Sequence, residues 1–309
     1  MPMSIVTTII PVFAIIILGL FSRRAGFIKP AFLEPANQLV YHLAIPAMIF
    51  RSISRASLKT QFDITVLTIT LFSVLAVFVV AWVVGSIARV KRKQIGTFIQ
   101  SSFHGNLGYI GLAVAYYCLG DKGLVRAGII AGFIMILQNL LAVVVLQLYS
   151  TDISEKKSKT KLAWKILGNP VILSAMAGML FSFTEVPIPL VIDRILDIIS
   201  GMALPMALLL IGASLSFKLI RLRALLVLSS SIMKLILLPG LGFILYRLLD
   251  IAPQDFLPGL ILLASPTATV SYVMAKELGG DTDFSVAAIS ISTILSAITF
   301  SIWLNMMAS

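Results

Sequence analysis

FHGNLGYIG, Phe103–Gly111, places a histidine, an asparagine and three glycines inside an otherwise apolar run. Glycine is the poorest helix former after proline, so an unbroken membrane helix gains nothing from such a composition. The stretch reads as a helix built to open near its middle. Its surroundings say what kind of protein tolerates that.

Over 309 residues the chain is 59% hydrophobic and 12% charged, with a mean hydropathy of +1.04. That is too apolar to fold around one soluble core and still present a wet surface. Its apolar runs repeatedly reach the roughly 20 residues that a helix needs to cross a bilayer, whereas barrel strands would alternate over about ten. The sequence therefore predicts an all-α polytopic membrane protein in the lipid bilayer. Ten helices are predicted near residues 3–22, 33–50, 64–88, 96–119, 125–149, 166–184, 192–217, 222–248, 256–275 and 284–307. The first run has no basic n-region and no small-residue cleavage site, so it is expected to be a retained helix.

The net charge of +11 does not point to nucleic acid, because the basic residues fall in short clusters between apolar runs, where they set topology. Sixteen of them follow helices 1, 3, 5, 7 and 9, and seven lie on the other face. Both termini are thus expected on the non-cytoplasmic side of the cytoplasmic (inner) membrane. Residues 150–165, STDISEKKSKTKLAWK, read as a flexible cytoplasmic linker between a first five-helix repeat (1–149) and a second (166–309). The lone Cys118, with only His42 and His104, excludes a disulfide framework, a CxxC site and a histidine-rich metal site. No cofactor is expected.

Internal similarity supports that division. Pro11 and Pro170, Pro46 and Pro205, and Glu34 and Asp193 are each 159 residues apart, and Asp121 and Asp281 are 160 apart. A unit of five helices enters the membrane from opposite sides in its two copies, so the halves form an inverted pair, an arrangement typical of secondary transporters. The same offset carries Asn106 onto Ser265 or Pro266, in LLASPTATVSYVMA. There proline removes a backbone donor and clashes with the preceding turn, so helices 4 and 9 are both expected to break.

Unpaired backbone at membrane depth persists only against protein or a watery cavity, so two such breaks should face each other. The half-helices opened there present N-terminal N–H groups and a positive dipole end, a seat for an anion. Candidate substrate-binding residues are His104, Gly105, Asn106, Gly108 and Tyr109 on one side and Ser265, Pro266, Thr267 and Thr269 on the other. Asn106 can donate and accept without carrying charge, which suits a carboxylate.

HGNLGYIGLAVAYYCLG (104–120), SPTATVSYVMAKELGGD (265–281) and ILGNPVILSAMAGMLF (166–181) resemble the auxin efflux carrier family along essentially all ten helices. The resemblance implies the fold of the bile acid sodium symporters. In that fold helices 1, 2, 6 and 7 form a scaffold, and helices 3–5 and 8–10 a mobile domain whose helices 4 and 9 cross. It implies small organic anions, mono- or dicarboxylates, as substrates, an elevator-type movement and a homodimer.

Three further polar residues lie at depth. Lys234 is the one charge predicted near the centre of a span and is expected to balance the anion or stand where related symporters hold sodium. Gln138 and Asn139 are about 100° apart around helix 5, so one of them is expected to line the cavity. All 13 acidic residues fall in loops or helix ends, which ranks sodium coupling below proton coupling or uniport. An intramembrane enzyme would need a nucleophile, a metal site or paired aspartates at depth, and none is present. A channel or a membrane sensor is the other alternative.

Overall fold

A computed structural model describes residues 5–55, 63–150, 168–184, 186–216 and 224–308. The expected linker at 150–165 lies, but for Ser150, outside the described residues. The described residues are helical throughout, apart from short turns and one isolated β-bridge. Five of the helices are long and apolar enough to cross a membrane: Ile64–Ile87, Leu107–Tyr149, Leu190–Ser214, Ala224–Leu248 and Thr282–Met306. The protein is a helical membrane protein.

Proline and glycine set the local interruptions. Residues 30–54 run as helix from Pro30 to Leu39, widen to a π-helical turn over Val40–Ala44 and resume as Ile45–Ser54 with Pro46 in the first turn. Residues 224–248 repeat the device, with a π turn at Met233–Leu237 ahead of Pro239. A proline cannot bond to the carbonyl four residues back and pushes against it, and the wider turn makes room. For Pro239 that carbonyl belongs to Leu235, and it accepts the Trp303 indole N–H at 2.9 Å instead. The Leu107–Tyr149 segment turns at Gly120, whose φ of 66° with ψ of −160° is a conformation open only to glycine. That turn separates the predicted helices 4 and 5.

By contact density the chain forms two compact units. The first takes its residues from 1–63, 108–133 and 167–214, and the second from 64–107, 134–166 and 215–309. In the first unit Ile5–Arg24 packs on Ala203–Ser214, and Ile45–Ser54 packs on Pro170–Phe183. Glycines let the backbones close. A Cβ on Gly19 would run into the Leu209 carbonyl, and one on Gly178 would lie 3.2 Å from the Phe50 carbonyl. These two contacts interchange when each residue is moved by the 159-residue offset. The prolines matched by that offset also share a setting, since Pro205 opens its helix just after the irregular Met202, as Pro46 follows a π turn. Asn169 caps the Pro170–Phe183 helix, its Oδ1 accepting from the N–H groups of Val171 and Ile172 at 2.9 and 3.3 Å.

The first unit also holds an ion cluster. Arg51 Nε lies 3.1 Å from Asp193 Oδ1 and Arg51 Nη1 2.6 Å from Asp197 Oδ1, while Arg55 pairs with the other Asp193 oxygen. The second unit packs Ile64–Ile87 on Arg92–Phe103 and on Leu238–Leu248, and Thr282–Ala308 on Ala224–Ile232 and Arg92–Phe103. Thr70 and Tyr246 share a buried hydrogen bond of 2.5 Å beside Gly259, where a Cβ would lie 2.6 Å from the Tyr246 hydroxyl.

Candidate functional site

Within the second unit the two expected breaks meet. Arg92–Phe103 ends at His104, whose backbone is extended (φ −79°, ψ 100°), and Pro253–Ala264 ends at Ser265 with φ −62° and ψ 143°. Between them Gly105 and Thr267 form an antiparallel β-bridge. Its flanking bonds run from the Asn106 N–H to the Pro266 carbonyl at 2.7 Å and from the Ala268 N–H to the His104 carbonyl at 2.9 Å. Each break thus satisfies main-chain groups that the other leaves open, as burial requires.

Side chains complete the seal. Gln138, 1% exposed, donates through Nε2 to the Phe103 carbonyl at 2.9 Å and accepts the Gly105 N–H on Oε1 at 3.2 Å. The Thr267 N–H donates to Ser292 Oγ at 3.0 Å, and its hydroxyl to the Ser101 carbonyl at 3.0 Å. The Ser265 hydroxyl turns back to Leu262 O at 2.6 Å, the carbonyl that Pro266 cannot serve. Gly105 has to be glycine for this packing. A Cβ there would lie 2.7 Å from Ser265 Oγ and 3.1 Å from Lys234 Cε.

Lys234 reaches the same place from the Met233–Leu237 turn. It is fully buried, and its Nζ donates to the Leu263 carbonyl at 2.7 Å. That carbonyl belongs to the last turn of Pro253–Ala264, the negative end of a helix dipole, which favours a cation. The side chain does not snorkel to an interface. It crosses Gly105 toward the break.

His104 is 3% exposed, with its ring stacked on Phe103 at 6.1 Å, and its Nδ1 has no hydrogen-bond partner among the described residues. His104, Gly105, Asn106, Gln138, Lys234, Ser265, Pro266 and Thr267 are therefore one buried constellation. Gly108 and Tyr109 belong to the first unit, where the Tyr109 hydroxyl donates to Asn37 Oδ1 at 3.3 Å. Thr269 and Asn139 are half-buried, and Thr269 precedes Val270–Glu277 without a side-chain cap bond. Of the two adjacent amides it is Gln138 that meets the break, and its contacts are main-chain atoms of Phe103 and Gly105.

Sequence reasoning did not single out Gln100 and Ser101, and it placed Ser271 among the polar side chains of the helix 9 break without making it a candidate binding residue. All are fully buried, and Gln100 Oε1, Ser101 Oγ and Ser271 Oγ have no partner among the described residues. Thr97, Gln100, Ser101 and His104 recur at the i, i+3, i+4, i+7 spacing of one helix face, and that polar stripe was the available signal. The Arg51, Arg55, Asp193 and Asp197 cluster had one too, since each like-charged pair is spaced i, i+4.

The chain resembles known proteins along its whole length. It is 26% identical over 309 residues to an uncharacterized transporter of Methanocaldococcus jannaschii, covering 98% of this chain and 97% of that one. It is 27% identical to a Rhizobium meliloti protein named "Putative malonate transporter", covering 94% and 92% of the two chains. It is 24% identical to the uncharacterized transporter YfdV of Escherichia coli, covering 96% and 95%. The membrane transport protein family matches residues 4–304. With nearly all of its length inside that match, the chain belongs to the membrane transport protein family, the auxin efflux carrier family whose paired segments it carries.

Proposed function

We propose that the protein is a secondary transporter that moves a small organic anion, a mono- or dicarboxylate, across the cytoplasmic membrane. The observation that carries this reading is the pairing at Gly105 and Thr267. Two helices interrupted at positions about 160 residues apart meet through main-chain bonds beside a buried lysine. Half-helix ends at membrane depth are the usual seat of substrate in inverted-repeat transporters. The proline and glycine correspondences at 159 residues support ten helices arranged as two inverted five-helix repeats, with helices 4 and 9 crossing at the site. The malonate in the name of the Rhizobium meliloti relative fits the proposed substrate class.

On this reading the substrate rests against Asn106, with Gly105 and Pro266 keeping the backbone open. Helices 3–5 and 8–10 then carry it past the scaffold of helices 1, 2, 6 and 7 in an elevator-type movement within a homodimer. Both termini face away from the cytoplasm. The cycle runs as proton symport or as uniport driven by the membrane potential, and sodium ranks below them because the sequence places its acidic residues in loops or at helix ends.

Uptake of labelled mono- and dicarboxylates into right-side-out and inside-out vesicles, with imposed proton or sodium gradients, tests the proposal. Saturable flux of at least one anion is expected. Its absence across the panel and in both orientations would overturn the reading.

A further inference from the structure

The transporter reading leaves open how many charges the cargo carries, and the surroundings of Lys234 bear on that number. An ammonium has three donors. One is spent on the Leu263 carbonyl, and no carboxylate among the described residues lies within ion-pair distance of this fully buried side chain. Among the described residues of the second unit Asp281 is the other buried charge, and it is committed elsewhere. Its Oδ1 accepts the Phe284 N–H at 3.0 Å at the start of Thr282–Ala308, and its N–H donates to Thr97 Oγ1 at 2.8 Å. Thr97 is eight residues from Gly105, about 12 Å along a helix at 1.5 Å per residue.

The other side chains at the break are an amide, two hydroxyls and an imidazole. Gln138 and the hydroxyls of Ser265 and Thr267 already hold backbone atoms, and His104 presents an Nδ1 without a partner. Helix Ile64–Ile87, packed on the Met233–Leu237 turn, contains no ionisable residue. The residue 159 positions before Lys234 is Leu75, so the second repeat carries a charge that the first lacks.

We propose that Lys234 is the sole counter-charge for the cargo, so that the transported species carries one net negative charge. The inference rests on the transporter reading and narrows its substrate class to monocarboxylates and to dicarboxylates that hold one proton. A carboxylate reaching the break favours the charged ammonium and takes up its open donors. A second ionised carboxylate would be buried without a partner, which strongly opposes its entry.

The test compares one three-carbon skeleton at three charges, at pH 8, in proteoliposomes. The probes are malonate with both carboxylates ionised, its monoamide with one, and its diamide with none. Wild-type uptake of the monoamide is expected to exceed that of malonate by at least about tenfold in kcat/KM, the lower end for a charged hydrogen bond. Lys234→Met should lower monoamide uptake by about 100-fold and leave the diamide the better of the two. Lys234→Arg should keep the wild-type order.

Folding of the variants is read from thermal unfolding in detergent. Binding is read from the rise in unfolding temperature that the monoamide should give wild type and not Lys234→Met. If Lys234→Met does not fold, the wild-type charge series and Lys234→Arg decide. Malonate carried as well as or better than its monoamide, or a folded Lys234→Met that keeps the wild-type order, overturns the single-charge proposal and leaves the transporter reading standing. No saturable uptake of these probes or of any other carboxylate overturns the transporter reading itself.

Discussion

At the scale of single residues, the pairing of the breaks separates what the backbone does from what side chains add. The bond at Asn106 is made by its N–H, so Asn106→Ala leaves it in place and removes only the amide. Transport is expected to fall by about 10- to 100-fold, the loss of a hydrogen bond to a charged group, while expression and thermal stability stay close to wild type. Gly105→Ala should act on stability as well, because its new Cβ meets Ser265 Oγ and the Lys234 stem. An overpacking cost of about 1–3 kcal/mol is expected in detergent unfolding, partly relieved by adding Ser265→Gly. Unchanged stability in Gly105→Ala would contradict the packing described. The correspondence of Asn106 with Pro266 was legible in the sequence because a repeat offset is arithmetic. The partner of Lys234 was not, since its depth follows from hydropathy but its rotation about the helix depends on the π turn before Pro239. The choice between Gln138 and Asn139 likewise needed the break's carbonyls in place.

At the scale of elements, proline decides where these helices open. Pro266→Ala supplies an N–H and relieves the clash with the preceding turn, each of which favours continuous helix. The expected result is a folded, stable protein that does not transport. Failure to fold in both Pro266→Ala and Asn106→Ala would instead assign the motif to packing alone. Gln138→Leu strands the Gly105 N–H and the Phe103 carbonyl, at about 1–3 kcal/mol for each unsatisfied group. A drop in the unfolding temperature larger than that of Asn139→Leu is expected. The π turns at Val40–Ala44 and Met233–Leu237 went unread because an apolar periodicity does not register one extra residue per turn. A proline two residues beyond each marks them, four residues after the carbonyl it displaces.

At the scale of the whole molecule, mean hydropathy and the spacing of apolar runs were enough for the class of protein, and the breaks were enough for the place to look. Long-range polar contacts were the illegible part. Arg51 and Asp193 are 142 positions apart in segments that separately look like ordinary helix ends. Asp193→Ala leaves Arg55 without its partner and Arg51 with only the exposed Asp197. Because both arginines are partly solvated, a loss of about 1–2 kcal/mol is expected, read as a lower unfolding temperature with substrate preference unchanged. A changed preference would tie the cluster to the site. The most direct test of the central claim, that the paired breaks hold an organic anion for transport, is counterflow in proteoliposomes of purified protein. Vesicles loaded with an unlabelled carboxylate should accumulate the labelled one transiently with wild type and not with Asn106→Ala. Equal accumulation by the two proteins would contradict it.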